Sequence, residues 1–289
     1  VTLGFNEFAG TPDDEVPLAR QIAAAFGVRH DVFTVSKSDF VSQRAALLAA
    51  MDQPSIDGVN TWFVARAAAQ SGLKVVLSGL GGDELFGSYP SFTDVPRMQR
   101  LAMPFAALPG VGRAVRKVCA PIASRMSSPK FASVLEYGGT FGGAYFLRRA
   151  LMMPWELTTI LDRDVVNEGL RLLNVPDGMA PLTNGIHSPR FRVSALEMQI
   201  YMRHQLLRDS DWASMAHSVE LRVPFVDSKL IADAIPWLQA VPGLTKTDIV
   251  ARHFTDASLD QALSAGPIAN LLHRVSLPED IAATILFLC

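Results

Sequence analysis

Apolar positions along the chain switch between two periods. "VTLGF" at Val1–Phe5 is a short apolar run of strand type. "DDEVPLARQIAAAFG" then repeats its apolar residues at helical spacing, with acids in the first turn and Gly27 just past the end. "RHDVFTV" alternates polar and apolar as a second strand does, and Ser38 is placed to cap the helix "DFVSQRAALLAAM". Val59 to Gln70 reads as helix, Gly72 ends it, and "LKVVLSG" is a β-branched apolar run of strand length. Strands alternating with helices of ten or more residues predict a parallel sheet covered on both faces.

From Val95 onward strand signals fade. Val95 to Asn174 carries scattered Pro and Gly with helical segments such as "VGRAVRKVCAPIASRM". "NVPDGMAPLTNG" then leads into the long helical run "SALEMQIYMRHQLLRDSDWASMAHSVE". The expected architecture is an α/β layer followed by a mostly helical half. The chain opens inside a strand pattern at Val1 and closes inside the amphipathic stretch "DIAATILFLC", so both ends read as cut.

Composition narrows the classes. Nearly half of the 289 residues are apolar, enough for a large core. Lys and Arg number 26 against 28 Asp and Glu, which leaves no basic footprint for nucleic acid. Cys119 and Cys289 are too few for a disulfide framework and lack zinc-site spacing, so a reducing, cytoplasmic setting is expected. No apolar run approaches the roughly 20 residues that span a bilayer.

The candidate chemistry lies in "VVLSGLGGDELFGSYPSF", Val75–Phe92. A strand stops at Ser78, glycines fill three of the next four positions, and Asp83 and Glu84 follow. Ligands of open parallel sheets bind beyond the carboxyl ends of the strands. Glycines there allow amide N–H groups to face an anion. Two acids beside a phosphate require a cation between them, and Mg²⁺ held by one or two carboxylates plus substrate phosphates meets that requirement. The plainer alternative is a flexible turn with an acidic helix start. The loop fits neither the Walker pattern nor G-x-G-x-x-G.

"VVLSGLGGDELFGSYPSF", taken with "LLRDSDWASMAHSVELRVPFVD" at Leu206–Asp227, resembles the synthetase domain of the glutamine-dependent asparagine synthase family, from Val1 to about Gln239. The resemblance implies an adenine-nucleotide α-hydrolase-like (PP-loop/HUP) parallel sheet with its first strand missing, followed by a mostly helical region. It implies ATP and Mg²⁺, activation of a small-molecule carboxylate as an acyl-adenylate, and ammonia delivered from glutamine by a glutaminase domain that this chain lacks. A homodimer is left open.

On the family pattern Leu3 and Gly4 line the adenine pocket, and Ser78, Gly79, Gly81 and Gly82 lie beside the nucleotide. Asp83 is the metal ligand. Arg208 and Arg222 are candidate cations for the developing charge, with pairing to Asp209, Asp211 or Glu220 as the alternative. Three departures are implied. The S-G-G-x-D-S pyrophosphate loop and its strand are absent, no N-terminal cysteine nucleophile precedes the domain, and Leu80 stands where many asparagine synthases carry an acid. A catalytically inactive fragment, one that binds nucleotide weakly or serves only as an interaction module, is therefore the rival reading.

Beyond Gln239, "AVPGLTKTDIVARHF" and "GPIANLLHRVSLPEDIAATILFLC" resemble the end of a short-chain dehydrogenase, with a junction expected between Pro236 and Thr245. Lys246 is either the synthetase's late catalytic lysine or an ordinary residue of that tail. The whole chain does not read as a dehydrogenase, since it has no Tyr-x-x-x-Lys pair and no dinucleotide turn. His30, His204 and His217 read as structural. Asp52 and Asp57, in "MDQPSIDG", read as turn residues or substrate contacts.

Overall fold

The computed structural model describes residues 1–240, Ile56 and Ser127 excepted. Lys246 and the dehydrogenase-like stretch beyond residue 240 lie outside the described residues. The described residues form two compact units, one holding residues 1–86 and 200–240, the other Gly87–Gln199.

The first unit opens with β1 (Thr2–Phe5) and α1 (Val16–Ala25). Asp13, Asp14 and Glu15 precede the helix instead of filling its first turn. The Asp14 carboxylate accepts from the Val16 amide at 3.1 Å and the Gly10 amide at 3.0 Å, which fixes the entry to α1. β2 (Val32–Val35) pairs with β1 in parallel, Thr2 opposite Val32 and Phe5 opposite Val35.

The cap of α2 (Lys37–Ala50) is Ser36, two residues before the expected Ser38. Its hydroxyl accepts from the Asp39 amide at 3.2 Å, while the Asp39 carboxylate accepts from the Ser36 amide at 2.9 Å. This reciprocal box satisfies two otherwise orphaned donors. α3 (Gly58–Gln70) follows, then β3 (Val75–Leu77) and the short α4 (Gly82–Phe86).

The middle unit is helical: α5 (Ser91–Ala102), α6 (Pro109–Met126), α7 (Val134–Tyr137), α8 (Phe141–Arg149), α9 (Pro154–Leu157), α10 (Arg163–Leu173) and α11 (Pro189–Leu196). At its centre Glu197, fully buried, accepts from the Ser91 hydroxyl, from Tyr145 Oη at 2.9 Å and from Arg149 at 2.8 Å. The Arg149 guanidinium also lies 4.7 Å from the centre of the Tyr89 ring. A buried carboxylate persists only when it is paired in this way.

The expected single helical run from Ser194 is not one α-helix. Glu197–Leu206 is π-helical, and α12 (Leu207–Met215) resumes the tighter winding. β4 (Glu220–Arg222) and α13 (Ser228–Ala240) complete the first unit. β4, missed in the sequence because it is three residues long and flanked by charge, pairs in parallel with β3. The described strands thus form two parallel pairs instead of one continuous sheet.

α3 serves both pairs. Its Trp62 and Phe63 join Val35, Leu47, Trp212 and Ala213 in one apolar cluster against which Leu3 and Phe5 pack. Further along α3, Ala68 packs with Val76 of β3 and with Val219, which precedes β4. No helix among the described residues is long and apolar enough to cross a membrane.

Candidate functional site at the glycine loop

The two motif segments, over 100 residues apart in sequence, meet at the β3–β4 pair. Val75, Val76 and Leu77 lie opposite Glu220, Leu221 and Arg222. The Ser78 amide extends the ladder by donating to the Arg222 carbonyl at 2.8 Å, and the Glu220 amide donates to the Lys74 carbonyl at 2.8 Å. The loop that follows β3 therefore begins beside the "RVPF" turn. Gly81 has φ +97°, and a Cβ there would lie 3.0 Å from Val226 Cγ2 and 3.2 Å from the Phe225 carbonyl carbon. Phe86 of α4 meets Phe225 edge-on at 5.9 Å.

This packing accounts for part of the glycine content. Gly81 is glycine because the loop turns through left-handed backbone against its own chain. Gly4 is likewise tight against protein, since a Cβ there would sit 2.9 Å from Val16 Cγ2 of α1. Two of the amides anticipated to face an anion are engaged within the chain instead. The Leu80 amide donates to Ser78 Oγ at 3.2 Å and the Gly82 amide to the Gly79 carbonyl at 3.0 Å, so both are turned into the loop. Asp83 is exposed, while Glu84 beside it is fully buried.

Ser78, Gly79 and Gly81 thus lie in one loop, and Gly82 and Asp83 open the α4 that follows it. Leu3 and Gly4 belong to the other strand pair, on β1. Arg208 is on α12, where its Nε lies 2.6 Å from Asp52 Oδ2 and both side chains are nearly half exposed. Arg222 pairs with Glu220 at 2.9 Å, which follows the alternative reading for that residue.

Sequence reasoning missed how the "MDQPSIDG" turn is held. Asp57 accepts from Tyr201 Oη at 2.7 Å and from the Gln205 amide nitrogen at 2.6 Å, and Ser55 donates to the buried Asp209. Asp209 also accepts from Trp212 Nε1 at 3.1 Å. A Cβ on Gly58 would meet the Trp212 ring at 2.3 Å, so the turn and α12 are in direct contact. The signal available was the number of acids and amides in both segments, but pairing partners some 150 residues apart cannot be matched from one sequence.

His30 Nε2 lies 2.8 Å from Thr2 Oγ1, and burial chiefly lowers its pKa. His217 packs edge-on against Trp62 at 4.5 Å. Burial, and then the charge of Arg66, hold its pKa below the usual histidine value. Among the described residues no three His, Cys, Asp or Glu side chains cluster as a metal-ligand set.

The profile of the asparagine synthase family matches residues 1–249. The chain belongs to the asparagine synthase family. The match runs through the stretch from Pro236 to Thr245. A putative glutamine-hydrolysing asparagine synthetase of Mycobacterium tuberculosis (strain H37Rv) is 31% identical over 270 residues, which covers 91% of this chain and 38% of that protein. Asparagine synthetase [glutamine-hydrolyzing] 1 of Bacillus subtilis is 27% identical, over 80% of this chain and 36% of its own length. Amidase chry2 of Gibberella zeae is 24% identical over 79% of this chain. The chain thus spans under two-fifths of the length of these relatives. No solved structure matches it.

Proposed function

We propose that this chain is the synthetase portion of an ATP-dependent amide-forming ligase that acts on a small carboxylate, with the PP-loop type of nucleotide fold. The observation that carries this reading is the meeting of the two motif segments at the carboxyl end of the parallel β3–β4 pair, with the exposed Asp83 at the end of the glycine loop. Ligands of parallel α/β folds bind at that end of the strands.

The donor chemistry fits a Mg²⁺–nucleotide. Mg²⁺ takes one or two protein carboxylates and completes its shell with waters and phosphate oxygens, so a single carboxylate such as that of the exposed Asp83 suffices on the protein side. Mg-ATP held there would supply the adenylyl group: the substrate carboxylate would displace pyrophosphate from the α-phosphorus, and ammonia would then displace AMP to give the amide. In this reading the nucleotide meets the backbone of Ser78, Gly79, Gly81 and Gly82, which Val226 and Phe225 back at Gly81. Arg208, drawn from its pairing with Asp52, supplies positive charge at the reacting carboxylate. Asp57, Ser55 and Asp209 hold the turn and α12 in fixed register so that Arg208 is presented from a rigid element.

The inward amides of Leu80 and Gly82 favour one alternative, a module that binds nucleotide without turnover. AMP formation separates the two. The purified chain is supplied with Mg-ATP, an ammonium salt and a panel of small carboxylates that includes aspartate. The ligase reading predicts carboxylate-dependent AMP release, abolished in Asp83→Asn. Nucleotide binding with no AMP from any carboxylate supports the module instead.

A further inference from the structure

A second concavity lies at the carboxyl ends of β1 and β2 and does not involve the glycine loop. Four phenylalanine rings line it: Phe5 at the end of β1, Phe8 in the following turn, Phe40 of α2 and Phe63 of α3. Val35 and Val59 complete its apolar wall. Its volume is about 280 Å³, just below the range of roughly 300–1,000 Å³ for ligand pockets. That is room for one ring and a short polar head. Phe8 and Phe40 remain 46% and 38% exposed, so two large rings face solvent at a strand end where ligands are received.

The polar lining is sparse and of both signs. Ser36 lines the pocket, but its hydroxyl is engaged in the cap of α2. The charged lining residues are Glu7 and Lys37. Lys37 opens α2, whose N-terminus is already capped by Ser36 and Asp39, so the charge offered to an anion there is that of Lys37 itself. One cation and one anion on the rim of an aromatic pocket complement a zwitterion with an apolar body.

We infer that this pocket binds an α-amino acid with an aromatic side chain, its carboxylate facing Lys37, its ammonium facing Glu7 and its ring among the phenylalanines. A small diacid such as aspartate is excluded, because a charged side chain would enter the apolar wall unpaired. The inference does not rest on the ligase reading, and its test needs no nucleotide.

The test is calorimetric titration of the full chain with L-phenylalanine, 3-phenylpropionate, 2-phenylethylamine and L-aspartate, repeated on Glu7→Gln, Lys37→Gln and Phe8→Ala. L-Phenylalanine is expected to bind saturably in roughly the millimolar range or tighter, as a ligand of this size allows. Loss of either ligand charge is expected to weaken binding by about fivefold, the upper range for a partly exposed ion pair. Lys37→Gln should weaken phenylalanine while leaving phenylethylamine unchanged, and Glu7→Gln should weaken phenylalanine while leaving phenylpropionate unchanged. Phe8→Ala should weaken all three aromatic ligands. Absence of saturable phenylalanine binding to folded protein overturns the inference. So does equal binding of the three aromatic ligands, or binding indifferent to both charge substitutions.

Discussion

Replacing Gly81 by alanine probes the junction on which the candidate site depends. Two costs arise from the same added methyl group. Backbone at φ +97° is sparsely tolerated by residues with a Cβ and costs roughly 1–3 kcal/mol. The methyl also meets Val226 Cγ2 at 3.0 Å and the Phe225 carbonyl carbon at 3.2 Å. The second of these is backbone and cannot rotate away, so overpacking adds roughly 1–3 kcal/mol. One shift of the loop relieves part of both, so the combined loss is about 2–4 kcal/mol. Gly27→Ala is the control. Gly27 also has positive φ, +63°, but nothing lies within 4 Å of a Cβ there, so only backbone strain of about 1 kcal/mol is expected. The assay is urea unfolding followed by tryptophan fluorescence, with nucleotide binding measured on the same samples. A Gly81→Ala loss no greater than that of Gly27→Ala would refute the packing of the loop against the Phe225 turn.

Glu197→Ala should cost about 3–5 kcal/mol in urea unfolding, because it leaves Arg149 without the carboxylate that neutralises it in the buried centre of the middle unit. Arg208→Ala should cost under about 1 kcal/mol of stability, as its pair with Asp52 is nearly half exposed, yet it should lower amide-forming turnover by roughly a hundredfold or more; equal, small effects on both would assign Arg208 to the fold alone. Stability should fall as pH drops through the ordinary histidine value of 6.5. A histidine whose folded pKa is lowered leaves the unfolded state holding more protons, so its contribution is present above that value and lost below it. His30 is shifted the same way, so the discriminating sample is His217→Gln, whose stability-versus-pH curve should be flatter than that of the parent chain.

Helices with strong periodicity and clear stops were legible from sequence. α3 ends where Gly72 placed its stop, and β1, β2 and β3 lie within the runs that marked them. The cap of α2 was displaced by two residues because Ser36 and Ser38 both precede a helical pattern, and only the reciprocal bond with Asp39 decides between them. β4 was hidden because three residues with Glu220 and Arg222 at either end carry no strand period. Its strand character comes from pairing with β3, a tertiary effect. The π-helical stretch at Glu197–Leu206 has apolar spacing that an α-helix also satisfies.

At the candidate site, the glycines and Asp83 stood out as a cluster. Their separate reasons did not, since Gly4 and Gly81 accommodate Val16, Phe225 and Val226 of the same chain. The partners of Asp52 and Asp57 on the 201–208 segment were beyond reach for a simple reason. A carboxylate in a turn looks the same in sequence whether it caps the turn or clamps a helix 150 residues away.

The most direct test of a Mg-ATP site at the glycine loop is calorimetric titration of the folded chain with ATP, with and without Mg²⁺, beside Asp83→Ala. The account predicts saturable ATP binding that requires Mg²⁺ and is lost in Asp83→Ala while the fold is retained. Binding that is unchanged in Asp83→Ala, or no binding by a chain shown to be folded, would contradict it.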